Sequence, residues 1–159
     1  MANITHGTWI KDCKAIDAAY QDGVKVYGRN LALRTATPFT MIGENKDNQG
    51  QIGYEFSRVI PRGTVVAISY DITSSTGVGV SSMMFSGLDS GSTWQNIYYS
   101  INLSSGTKHV FVTLTTDSDH LHMTLRLDNA TGTVTISNFI ISESSTEVAW
   151  SPAPEDILN

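Results

Sequence analysis

An all-β fold is predicted, a jelly-roll-like β-sandwich behind a short N-terminal attachment segment, and three observations predict it. From Arg29 onward, apolar segments recur at regular spacing between clusters of Gly, Ser, Asn and Asp. Within these segments apolar and polar residues alternate with the period of a strand. No long stretch holds the helical period.

The leader, residues 1–29, reads as a small meander. Thr8 to Lys11 and Lys14 to Ile16 flank a turn at Asp12-Cys13, and Asp22-Gly23 turns the chain into Val24 to Tyr27. A short helix over Lys14 to Tyr20 competes, because Ala15, Ala18 and Ala19 are good helix formers. In either form the segment buries too little to stand alone, so it must dock onto the main body or onto another protein, and homo-oligomerisation is one way to do so.

The body, residues 30–150, predicts strands near Leu31 to Arg34, Ile52 to Phe56, Thr64 to Ile72, Gly77 to Phe85, Gln95 to Ile101, Lys108 to Leu114, Leu121 to Leu127 and Thr133 to Ser142. That number of strands suits a jelly roll. Val66, Ile68, Tyr70 and Ile72 share a face, and Val110, Val112 and Leu114 oppose His109, Phe111 and Thr113. Leu121, Met123, Leu125 and Leu127 alternate with His122, Thr124 and Arg126, while Val134, Ile136 and Asn138 alternate with Thr133, Thr135 and Ser137. One buried face per strand means two stacked sheets, which leaves an outer face free to carry polar and aromatic residues toward a ligand. The prolines of Trp150-Ser-Pro-Ala-Pro-Glu-Asp stop the last strand, and residues 151–159 read as an exposed extended tail.

Composition excludes several partners. The 159 residues suit one domain; 40% are hydrophobic, but only 16% are charged, so the polar surface must be mainly Ser, Thr, Asn and Gly. A net charge of -5 with ten Lys plus Arg gives no basic patch for nucleic acid or for an anionic membrane. Cys13 is the single cysteine, so no intrachain disulfide forms. The first residues lack a basic start followed by an apolar run, and no window is apolar enough to span a membrane. The expectation is synthesis in the cytoplasm and, for work outside a cell, release within a particle by lysis.

Val26-Tyr-Gly-Arg-Asn-Leu, the run Arg34-Thr-Ala-Thr-Pro-Phe-Thr, and the ending Ile136-Ser-Asn-Phe-Ile-Ile-Ser-Glu with Trp150-Ser-Pro-Ala-Pro-Glu-Asp resemble accessory carbohydrate-binding modules of tailed bacteriophages or prophages of Gram-positive bacteria. The opening His6-Gly-Thr-Trp-Ile-Lys-Asp resembles leader segments of such proteins. The resemblance implies a carbohydrate-binding-module type of sandwich on a virion, adhering to a host cell-wall polysaccharide or surface saccharide, with the leader contacting other phage structural proteins. It leaves open which saccharide and which part of the particle.

The residues nominate a ligand site at Trp94, Gln95, Asn96, Tyr98 and Tyr99. Sugar C–H faces stack on aromatic planes while amides exchange hydrogen bonds with hydroxyls. Strand alternation lets only one of the two tyrosines face outward. Burial of Trp94 and one tyrosine in the core competes evenly with this reading. His122 and Arg126, on the polar face of one strand, border the same candidate surface. His120 and His122, with Asp117 and Asp119 near, are a weak metal candidate. The loop Glu44 to Gly50 is rich in oxygen ligands, but Phe56 stands where a calcium loop needs a glutamate. A structural calcium near Asn30, Asn138 and Glu143 stays open, and no other cofactor is implied.

Catalytic motifs are missing: there is no nucleophile elbow, phosphate loop or metalloprotease helix. Asp71, Asp89, Asp117, Asp119 and Asp128 are the carboxylates available for glycoside cleavage, and most fall in turns. Three readings follow: a saccharide-binding module that performs no chemistry, a purely structural virion component such as a capsid decoration, neck or tail protein, and a glycan hydrolase fragment. A binding module exposes an aromatic beside amides, a decoration protein buries it, and a hydrolase needs paired carboxylates across a cleft.

Overall fold

A computed structural model describes residues 3–5, 8–11, 14–16, 18–21, 24–87 and 95–158, with continuous side-chain detail over 28–85 and 99–157. The leader carries β1 (Asn3–Thr5), β2 (Thr8–Lys11), β3 (Lys14–Ala15), β4 (Ala18–Gln21) and β5 (Val24–Gly28). β1, β2 and β3 form one antiparallel sheet, and β4 pairs with β5. The helix that competed for Lys14 to Tyr20 does not form, and β3 and β4 take its place.

The body consists of β6 (Phe39–Glu44), β7 (Gln49–Ile60), β8 (Val65–Ser74), β9 (Val80–Gly87), β10 (Gln95–Asn102), β11 (Gly106–Thr115), β12 (His120–Asp128) and β13 (Thr131–Ser142), followed by α1 (Pro154–Leu158). They form two four-stranded antiparallel sheets, in the orders β10-β9-β12-β7 and β11-β8-β13-β6. From β6 to β13 every connection except β9 to β10 changes sheet, the winding of a sandwich. Its core takes Val66, Ile68, Tyr70 and Ile72 from β8, Met123, Leu125 and Leu127 from β12, and Phe85, Val134, Ile136 and Phe139, all buried. Each such side chain contributes about 1.5–3 kcal/mol by leaving water. The ring of Tyr54 stacks on Phe139 at 5.1 Å, and burial pushes its phenol up to about 12.

Four expectations need correction. Leu31 to Arg34 is not a strand: Leu31 N–H donates to Ile141 O in one sheet, and Leu31 O accepts from Ser57 N–H in the other, so this stretch crosses between sheets. β6 is a strand beyond those that the alternation predicts; at its Gly43 a Cβ would lie 2.5 Å from Ala130 O, so no side chain extends the pattern there.

Asn138 does not share a face with Val134 and Ile136. A bulge shifts the register between Ser137 and Ile140, Asn138 adopts φ 51, and Phe139 and Ile141 take the inward positions.

The tail is not an exposed extended segment. Ser151 to Pro154 are buried, Arg34 N–H donates to Asp156 Oδ2 at 2.7 Å, and Arg29 pairs with Glu155. Asn30, fully buried, ties these parts together: its amide nitrogen faces Thr35 Oγ1, Phe139 O and Ser151 O, and its oxygen accepts from Ala32 and Ile141 N–H.

Candidate functional site

The sequence-nominated surface belongs to the sheet β10-β9-β12-β7. Trp94 lies outside the described residues, as do the side chains of Gln95, Asn96 and Tyr98, whose backbone is placed in β10. Tyr99 packs against the core, because its partner across β9 is the buried Met83. It is therefore not an exposed platform. Register sets Tyr98 beside Met84, Met84 beside Thr124, and Ser82 beside Arg126.

Arg126 is held within its own strand, with Nε and Nη2 donating to both oxygens of Asp128 at 2.8–3.0 Å; that bond, ahead of other causes, holds the Asp128 carboxyl below its usual range. His122 is half-buried beside Glu55 and Ser86 in register, and desolvation pushes its pKa down.

His120 does not share the face of His122. A bulge separates them, and the His120 ring packs in the core edge-on to Phe85 at 5.5 Å. Among the described residues no group of metal-ligating side chains is gathered. The calcium candidates are engaged apart from one another: Asn30 in the bonds above, Asn138 with Asp71, and Glu143 with Arg58 at 2.7 Å. The Glu44 to Gly50 stretch spends its oxygen ligands on Lys46 to Glu44 at 2.6 Å and on Asn129, from the β12 to β13 turn, to Asp47 at 2.7 Å.

A different site stands on the outer face of the other sheet. Register places His109 of β11 beside Asp71 of β8, and the β13 bulge delivers Asn138 to the same spot. The chain after β13 returns over this face, so that Glu147, Ala149 and Trp150 wall an open groove of about 480 Å³. Asp71 Oδ1 accepts from His109 Nδ1 at 2.7 Å, and Asp71 Oδ2 from Asn138 Nδ2 at 2.8 Å. The far ring nitrogen of His109, Nε2, meets Glu147 Oε1 at 2.6 Å.

The bond from Asn138 and then that from His109 hold the Asp71 carboxyl below its usual range; the bonds to Asp71 and then Glu147 raise His109. Trp150 donates through Nε1 to Thr35 Oγ1 at 3.2 Å, which fixes its polar edge, while 37% of the residue stays exposed. An anchored indole beside a rigid set of acceptors is what a sugar ring needs: a flat apolar plane and partners for its hydroxyls.

A neutral row of hydroxyls crosses the same sheet. Thr107, Thr73, Thr135 and Thr40 follow one another in register across all four strands, with hydroxyl pairs 2.8 Å apart at Thr73 and Thr107 and 2.9 Å at Thr40 and Thr135. A second depression, of about 470 Å³, lies at the β6 and β7 edges around Arg34, Phe39, Tyr54 and Glu55; there Arg34 pairs with Glu55 at 3.3 Å.

Sequence reasoning missed the groove. It gives no ligand role to Trp150, which stands in the Pro-containing ending, or to His109, which stands on the face opposite Val110, Val112 and Leu114. The available signal was the run of outward polar residues on β8 and β11, with Asp71 and His109 lying outside any turn.

No protein-family profile matches the chain, and no curated protein sequence does. Solved structures that resemble it include a carbohydrate-binding module, CBM4, with a TM-score of 0.49 and 15% identity over 67% of this chain and 82% of that one. A family 16 carbohydrate-binding module gives 0.44 and 14% over 70% and 84%. The tripod from the baseplate of bacteriophage Tuc2009 gives 0.49 and 12% over 80% and 59%. These scores describe general likeness, and a functional reading rests on the groove's own chemistry: by its two antiparallel sheets, the chain is an all-β sandwich with a polar, aromatic groove on one outer face.

Proposed function

We propose that this protein is a saccharide-binding module of a bacteriophage particle that adheres to a host cell-wall or surface saccharide and performs no chemistry. The observation that carries the saccharide part is the exposed Trp150, anchored by Thr35, beside Asp71 and Glu147, which His109 bridges, and Asn138, which the β13 bulge presents. The phage part is supported by the sequence resemblance alone, with the strands before Asn30 as the attachment segment. Weak single sites repeated on one particle supply avidity.

Two carboxylates face this groove, which brings the hydrolase reading to the same residues. His109 fills the gap between them and engages each with one ring nitrogen. An acid and a base acting on a glycosidic bond need that gap, and one of them needs a raised pKa, whereas Asp71 is lowered. Neither ring nitrogen is left to serve a nucleophile.

The test is binding of the tagged chain, displayed in many copies, to a panel of Gram-positive strains with purified wall polysaccharide as competitor. Strain-selective labelling that the polysaccharide removes and Trp150→Ala lacks supports the reading. Loss with Trp94→Ala instead moves the site to the β10 surface. No labelling of any strain favours the structural virion component.

A further inference from the structure

We infer that the groove is selective by charge: it takes uncharged, hydroxyl-rich sugars and turns away saccharides that carry phosphate or carboxylate groups. The inference rests on the saccharide reading above and names the ligand class of the same site.

Its basis is the balance of charges and of hydrogen-bonding roles. Asp71 and Glu147 are acceptors, and among the described residues of the groove the one group that can carry positive charge to offset them is the His109 ring, already bonded to both. Among the described residues the lining contains no Lys or Arg. With His109 protonated the groove keeps one net negative charge, and with His109 neutral it keeps two. Each oxygen of Asp71 has one partner here and room for another, so a ligand hydroxyl that donates is welcome.

A phosphate or carboxylate can only accept, and it would meet like charge at contact distance. The adjacent four-threonine row adds no positive charge. Lys108, next to His109 in sequence, pairs in register with the core residue Ile72 and lines a separate pocket with Leu103. Repulsion between partly hydrated charges at about 4 Å amounts to roughly tenfold in affinity.

The experiment compares two probes on the full chain displayed in many copies at pH 7.5: a neutral wall polysaccharide free of phosphate and uronate, and polyglycerol phosphate. The neutral polymer is expected to bind at least about tenfold more tightly. Glu147→Gln, and Asp71→Asn with it, should narrow that gap, and so should added salt, which screens the repulsion. Equal or tighter binding of polyglycerol phosphate, lost in Trp150→Ala, would overturn the charge selection while leaving the groove as the saccharide site. Binding of either polymer that Trp150→Ala leaves intact would overturn both.

Discussion

Asp71, His109 and Glu147 form a bridge whose strength depends on pH, and the signs follow from its two shifted groups. His109 is raised, so its contribution to stability is complete below 6.5 and fades as pH rises through its folded value. Asp71 is lowered, so its contribution is present above 3.8 and is lost as pH falls through its folded value. The bridge therefore stabilises most between those two limits. With the His109 side chain 55% exposed, screening holds the effect to about 1 kcal/mol or less. A thermal melt of wild type against His109→Gln across pH 3 to 9, roughly the span over which these groups titrate, should show the largest difference inside the window. A difference constant with pH would mean that His109 acts by packing alone.

Asn30 makes the opposite case, a polar side chain whose value is entirely structural. Asn30→Ala would strand acceptors and donors on Phe139, Ser151, Ala32 and Ile141 that are buried away from water. The expected loss is about 2–4 kcal/mol in denaturant unfolding, well above an ordinary surface change.

Among the elements, β13 decides whether the groove exists. Without its bulge the alternation of Val134 and Ile136 would continue and carry Asn138 inward, away from Asp71. Two substitutions separate backbone from side chain. Asn138→Gly keeps the left-handed φ, so the fold should persist while saccharide affinity falls by about tenfold with the lost hydrogen bond. Asn138→Val forces a β-branched residue into φ 51 and should cost about 1–3 kcal/mol of stability as well. Equal stability of the two variants would show that the bulge relaxes without strain.

The β8 to β9 connection is as demanding. Gly79 has φ 101, and a Cβ there would lie 2.4 Å from the Ala130 Cα. Backbone cannot yield as a side-chain tip can, so Gly79→Ala should destabilise by about 3 kcal/mol or more, read from the denaturant midpoint.

For the molecule as a whole, the C-terminal stretch joins what the sheets alone leave separate. Ser151 to Pro154 are buried, Asp156 caps Arg34, and Trp150 reaches Thr35, so this stretch closes one side of the sandwich and also walls the groove. Truncation after Ala149 should lower the melting temperature by several degrees and abolish saccharide binding together, a coupling that a free tail would not produce. Melting unchanged by the truncation would contradict the packing.

By itself the sequence determined that the chain is an all-β sandwich, because period-two alternation with buried Val, Ile, Leu and Phe can be satisfied only by stacked sheets. Its alternations at Val66 to Ile72 and Val110 to Leu114 match the inward faces of β8 and β11. What tertiary structure decided was the pairing of residues far apart in the chain. Asp71, His109, Asn138 and Trp150 sit on separate elements, and no local pattern links them. The bulge that turns Asn138 outward depends on which strands flank β13, and the burial of the Pro-rich end depends on where Asn30 and Thr35 lie. Periodicity reports which face of a strand is apolar; it carries no information about which strands become neighbours, and a binding groove is made of neighbours.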